Sequence, residues 1–182
     1  MKLVKRIQKS LLLIALFMSG NAILQAQSTT FTSPREKTRI LFVLDASNSM
    51  VQYMDGSTRM QVAKKLMTKM VDSLSKLRNV ELGLRVFGHQ TSIVQKDCED
   101  TKLEVPFKPG NIGQLKTTIN ELEPKGYTLI AQSILSASKD FPESPGRNII
   151  ILITDGVEEC SGDPCAIAKA LLKKGVILQP FI

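Results

Sequence analysis

The sequence predicts an α/β fold: an open, mostly parallel sheet, doubly wound, with helices on both faces. Three observations predict it. Strand-like and helix-like segments alternate along the chain, which is the pattern of β-α-β units. Two runs, "RILFVLD" at 39–45 and "RNIIILITD" at 147–155, are continuously apolar, as strands covered on both faces are. Both runs end in an acid, Asp45 and Asp155. In open parallel sheets the ligand crevice lies outside the carboxyl ends of the strands.

The N-terminal 26 residues stand apart from this pattern. Lys2, Lys5, Arg6 and Lys9 precede the apolar run "LLLIALFM", and small Ala26 precedes a cut at Gln27. That order is the signature of a secretory signal peptide. Ser19, Gly20 and Asn21 interrupt the apolar run before the roughly 20 residues of a membrane span. The expected location is therefore exported: periplasmic, envelope-associated or secreted. Four of the 24 basic residues fall in this segment, leaving 20 against 17 acids from a stated net charge of +7. The basicity is mostly an export feature and points to no nucleic-acid partner. Residues 27–38, "QSTTFTSPREKT", read as a polar leader, and 39–182 as one domain.

Within the domain, "RILFVLD" is the first strand. A helix follows from about Arg59 to Leu77, with Met60, Ala63, Met67, Met70, Leu74 and Leu77 stepping by three and four. "TRMQ" at 58–61 has the form of a capping box. "VELGLRVFG" is the second strand and "TKLEVPF" at 101–107 a third, with a long polar loop between them. Asn111 is expected to cap a helix bearing Ile112, Leu115, Ile119 and Leu122 on one face, "EPKGYT" breaks it, and another runs from about Ile130 to Asp140. After "RNIIILITD", Asp163 and Pro164 start a last helix at cap and first position, and Gly175 lies just past its end. "VILQPFI" is the final strand, expected beside the Asp155 strand with an apolar edge on its other side.

The stretch "LFVLDASNSM" carries the chemistry. Asp45, Ser47 and Ser49 occupy alternate positions leaving a strand, so their oxygens can converge on one point. Asn48 between them tolerates a left-handed turn. Thr128 offers a further hydroxyl and Asp155 a second carboxylate. Hard divalent cations take oxygen ligands of this kind. The set suits Mg²⁺, or Mn²⁺ or Ca²⁺, and two acids leave such an ion short of negative charge, open to a carboxylate from elsewhere.

These residues make the chain resemble the von Willebrand factor type A domain, a Rossmann-like fold whose metal-ion-dependent adhesion site has an Asp-x-Ser-x-Ser motif, a later Thr and a later Asp. "DASNS" matches at Asp45, Ser47 and Ser49, "GYTLI" at Thr128 and "ITDG" at Asp155. "ECSGDPC" resembles exported bacterial members. The resemblance implies a non-enzymatic binding domain that captures a partner protein's Asp or Glu through the bound ion, with Asp155 acting through water. It implies no small-molecule substrate. It also implies a further helix and strand beyond Ile182, so that 39–182 is a truncated domain. Asn48 stands where the family has Gly. Leu129 stands where it often has Pro, which is expected to loosen the Thr128 loop.

The alternative function is a metal-dependent aspartyl-phosphate phosphatase with Asp45 as nucleophile. By resemblance such enzymes want a second acid two residues on, where this chain has Ser47. Serine hydrolysis lacks a G-x-S-x-G elbow, and the sole histidine is His89. His89 is expected as a loop residue bonded to backbone, and Asp97, Glu99 and Asp100 as solvated charges. Three cysteines in an exported chain predict one bridge and one free thiol. Cys160–Cys165 is the expected pair, with a bridge to distant Cys98 as the alternative. Zinc, with one histidine and no second cysteine pair, is not expected.

Overall fold

The computed structural model describes residues 36–181. The signal peptide expected at 1–26, the part of the expected leader up to residue 35, and Ile182 lie outside the described residues. The elements in chain order are β1 (Thr38–Asp45), a 3-10 turn (Asn48–Val51), a short hairpin of β2 (Tyr53–Met54) and β3 (Ser57–Thr58), and α1 (Arg59–Leu74). Next come β4 (Val80–Phe87), a second 3-10 turn (Ile93–Gln95), β5 (Thr101–Val105), α2 (Ile112–Glu121) and α3 (Ile130–Ala137). The chain closes with β6 (Arg147–Ile153), α4 (Pro164–Lys173) and β7 (Val176–Phe181).

The main sheet has the order β5-β4-β1-β6-β7. All its pairings are parallel except β4 with β5, which is antiparallel. The chain winds outward from β1 to β4 and β5, then returns to the other side of β1 with β6. The reversal of strand order therefore falls at β1, and β1 pairs directly with β6. That adjacency sets Asp45 and Asp155 at the same carboxyl edge, as the alternation of segments predicts.

Side-chain alternation along the buried strands builds two cores. Ile40, Phe42 and Leu44 of β1 face Met60, Ala63, Met67 and Val71 of α1 with Leu115 and Ile119 of α2. Leu41 and Val43 face the other way, toward Ile130 and Ile134 of α3 and Leu171 of α4. Helices thus cover both faces, and β1 is buried along nearly its whole length.

Local signals account for the helix ends. Thr58 accepts from the Gln61 amide while the Gln61 side chain accepts from the Thr58 amide, the reciprocal cap read from "TRMQ". Asp163 accepts from the Ala166 amide ahead of Pro164, and Gly175 carries φ of 78° past the last turn. Three expectations are corrected. α1 ends at Leu74, leaving Leu77 exposed while Val71 takes the buried position. Asn111 precedes α2 but makes no side-chain cap; its amide donates instead to the Leu82 and Pro106 carbonyls, tying the helix start to β4. Asn48 opens a 3-10 turn and is not among the left-handed residues.

Candidate metal centre

Asp45 is the last residue of β1 and is fully buried. Its Oδ1 accepts from the Ser47 amide at 2.7 Å, and its Oδ2 accepts from the Thr154 hydroxyl at 2.5 Å. The first bond bends the chain out of the strand and turns Ser47 and Ser49 toward the sheet's edge. Ser47 Oγ lies 3.0 Å from Ser49 Oγ, and Ser49 Oγ donates to Asp155 Oδ1 at 2.9 Å. The oxygens of four residues thus run together across the ends of two neighbouring strands. Asp155 Oδ2 accepts in turn from Arg59 at the start of α1, in an ion pair that is about one-third exposed on the arginine side.

Thr128 arrives from a separate segment. Residues 125–126 lie against the β1 loop through bonds from Lys125 N to Ala46 O at 3.0 Å and from Asn48 N to Gly126 O at 2.8 Å. Gly88 makes this approach possible. It has φ of 69°, and a Cβ there would stand 2.6 Å from Tyr127 O and 3.0 Å from Ser47 N. Gly156, next to Asp155, completes the cradle: a Cβ there would stand 3.4 Å from Thr128 Oγ1 and 3.8 Å from Ser49 Oγ. All five residues singled out from the sequence therefore meet at one edge of the sheet.

Burial pushes the Asp45 carboxyl from its ordinary value of 3.8 up to about 6, against the lowering effect of the Ser47 and Thr154 bonds; the charge of Asp155 adds to the rise. The centre's donors are all oxygen, two carboxylates and three hydroxyls, which fits a hard divalent cation. Among the described residues, no group of three or more His, Cys, Asp or Glu is arranged to hold a metal ion by itself. Any ion held here depends on the hydroxyls.

A family model for the von Willebrand factor type A domain matches residues 40–158. The chain belongs to the von Willebrand factor type A domain family. Its relatives include two Bacillus subtilis (strain 168) proteins. YwmD is 32% identical over 171 residues, 90% of this chain and 75% of YwmD. YwmC is 30% identical over 160 residues, 85% of this chain and 70% of YwmC. Among solved structures, BatB from Bacteroides thetaiotaomicron superposes with a TM-score of 0.64 at 27% identity, over 79% of this chain and 65% of that one. Proximal thread matrix protein 1 from the mussel byssus, solved with a zinc-occupied MIDAS motif, shares the fold at a TM-score of 0.60 and 21% identity, over 80% of this chain and 35% of that one.

The cysteine expectation is overturned. Within this type A domain the bridge joins Cys98 to Cys160 across a sequence separation of 62, and Cys165 is free and exposed. Cys165 sits in the first turn of α4, whose start is fixed by Asp163 and Pro164 without a covalent tie. The loop after β4 instead folds back so that Cys98 reaches the segment following Asp155.

That loop also corrects the reading of its charges. Asp100 is buried, not solvated, accepting from the amides of Gln90 and Thr91, the Thr91 hydroxyl and the Gln90 side chain. Burial alone pushes its carboxyl up, but the bonds from Thr91 and Gln90 together outweigh it and hold it below the ordinary range. Glu99 does accept an exposed bond from Gln132. His89 pairs with a side chain and not with backbone: its Nε2 lies 2.8 Å from Glu104 Oε1. Thr154, Arg59, Glu158 and Glu159 were not singled out from the sequence, although each touches a residue of the centre or its support. Thr154 had a legible signal, since it precedes Asp155 at the end of a buried strand.

Proposed function

We propose that this type A domain is an exported interaction module that captures a carboxylate of a partner protein through a divalent cation, with Mg²⁺ as the expected ion. Asp45, Ser47, Ser49 and Thr128 hold the ion directly or through water, and Asp155 holds it through water. Of the two acids only Asp45 is buried, and the charge of Asp155 is shared with Arg59, so a divalent ion keeps positive charge that an acidic side chain of the partner neutralises as it completes the shell. The observation that carries this reading is the continuous run of oxygens from Ser47 through Ser49 to Asp155, with the Ser47 and Ser49 oxygens 3.0 Å apart and Ser49 bonded to Asp155 at 2.9 Å. An apolar hollow of about 350 Å³ walled by Met50, Met54, Val62, Leu66 and Phe181 adjoins Asp155, so a protein partner meets apolar surface beside its acidic anchor.

The environment of Asp45 speaks against a phosphatase. Such an enzyme wants a second acid two residues after its nucleophile to handle the leaving group, and that position is Ser47, whose hydroxyl faces Ser49. The Cys98–Cys160 bridge supports an oxidising compartment, in keeping with export.

Titration calorimetry with Mg²⁺ and Mn²⁺ is the test, paired with retention of envelope proteins on the immobilised chain with and without chelator. One weak site, lost in Asp45→Ala, and chelator-sensitive retention are expected. Unchanged metal affinity in Asp45→Ala overturns the reading.

A further inference from the structure

Thr128 lies outside every helix and strand, two residues before α3. Its backbone is held on both sides by a single residue. The Thr128 amide donates to Glu159 Oε2 at 2.7 Å, and the Glu159 amide donates back to the Thr128 carbonyl at 2.9 Å. The two bonds close a ring that fixes the plane and height of the Thr128 peptide relative to the segment carrying Asp155. Glu158 does related work one residue earlier. Its Oε2 accepts from the Ala131 amide at 2.7 Å, in the first turn of α3, where Leu129 has no side chain able to cap. Its Oε1 accepts from the Cys160 amide at 2.9 Å, bracing the strap of residues 155–160 itself.

The placement of these acids is unusual for solvated charges. Glu159 is exposed as a residue, yet its carboxylate turns inward to the backbone of Thr128. Nothing in α3 or in the 125–126 pairing holds the Thr128 amide, so the hydroxyl beside Gly156 depends on Glu159 for its position. The loosening expected from Leu129 in place of Pro is thereby offset by a bond from across the sheet's edge.

We propose that Glu159 is a positioning residue of the metal centre, holding Thr128 in register with Ser49 and Asp155, with Glu158 bracing the same strap. The inference rests on the metal-binding reading above and names how that centre is kept assembled. Glu159 acts through its acceptor oxygen and not through its charge. Replacing Glu159 with Gln keeps an acceptor at the same reach, whereas Ala removes it.

The test measures Mg²⁺ affinity by calorimetry on wild type, Glu159→Ala and Glu159→Gln, together with amide hydrogen exchange at Thr128 in the metal-free chain. Glu159→Ala is expected to weaken Mg²⁺ binding by about tenfold or more, the usual effect of losing a group that orients a ligand, and Glu159→Gln to stay within about twofold of wild type. The Thr128 amide is expected to be protected in wild type and in Gln, and to exchange faster in Ala. Thermal unfolding establishes that each variant is folded, which the exposed position favours. Equal Mg²⁺ affinity in wild type and Glu159→Ala overturns the proposal while leaving the metal centre standing. So does equal loss in Ala and Gln, which assigns the effect to charge. A wild-type chain that binds no Mg²⁺ or Mn²⁺ overturns the metal reading and this proposal with it, whereas unchanged Thr128 exchange in Ala overturns the positioning role alone.

Discussion

The candidate centre is assembled from two halves that are held in place differently. Asp45, Ser47 and Ser49 leave a central strand bonded on both sides, by β4 and β6, and one amide bond to Asp45 sets the turn. Thr128 and Asp155 come from loops whose geometry depends on side chains: Glu158, Glu159, Arg59 and the Cys98–Cys160 bridge. The first half is a product of the sheet, so its position is as stable as the core. The second half is a product of individual long-range contacts, so it is where removing one contact changes the site without unfolding the domain.

Reduction of the bridge breaks that comparison most severely. Closing a loop with a sequence separation of 62 stabilises by about 4 kcal/mol in the chain-entropy picture. Cys98→Ser with Cys160→Ser is expected to lower unfolding free energy by up to that amount, measured by urea denaturation. Mg²⁺ affinity should fall as well, since the strap carrying Glu159 loses its anchor. Cys165→Ser, which touches no bridge, should leave both unchanged. A loss in Cys165→Ser equal to that in the double variant would show that the bridge had been misassigned.

The next effect concerns the rigid half and follows from the raised carboxyl of Asp45. The folded state holds this proton up to about pH 6, whereas the unfolded chain releases it near 3.8. Stability of the metal-free domain therefore falls as pH rises from about 4 to about 6, and stays lower above that range, by on the order of 3 kcal/mol. Asp45→Asn removes this cost. It should stabilise the metal-free domain at pH 7–8 by about 1–3 kcal/mol, gain nothing at pH 4, and abolish Mg²⁺ binding. In wild type, Mg²⁺ affinity should drop about tenfold per unit below pH 6, because the ion and the proton compete for one carboxylate. Calorimetry across pH 5 to 8 measures this, and a flat profile would separate Asp45 from the ion.

The same division explains what was legible in the sequence. Alternating apolar runs and a motif of five residues suffice for the sheet, its order of elements and the oxygens leaving β1, because strand period and strand ends are local properties. The meeting of Asp45 with Asp155 was legible through the topology rule for strand ends. The Cys98–Cys160 bridge was not, because loop length favours the nearby Cys165 and nothing local announces that the 89–100 loop folds back. Asp100 was misread for a related reason: "DCED" has the composition of a solvated loop, and its partners are backbone amides that composition cannot display. Glu158 and Glu159 carry no local signal, and their role depends on a segment about 30 residues away. Long-range hydrogen bonds to backbone leave no pattern in the residues that make them.

The smallest effect tests how finely the second half is balanced. Arg59 holds Asp155 Oδ2 from the first position of α1, while Ser49 holds Oδ1. The arginine is about one-third exposed, so the pair adds little to stability, roughly 0–1 kcal/mol. Its effect on the ion has two opposing parts. A guanidinium beside the centre repels a cation and occupies an oxygen that Asp155 offers to bound water, which weakens binding. It also fixes the rotamer of Asp155, which favours binding. Ser49 already orients the same carboxylate from Oδ1, so the orienting part is largely duplicated and repulsion is the greater part. Arg59→Gln is therefore expected to raise Mg²⁺ affinity by about two- to fivefold, with unfolding free energy changed by less than about 1 kcal/mol. The gain should shrink as salt rises toward 1 M, where the screening length falls to about 3 Å. A fall in affinity in Arg59→Gln, insensitive to salt, would make Arg59 a support of Asp155 like Glu159 is of Thr128, and the loosely held half would then need three side chains to stay assembled.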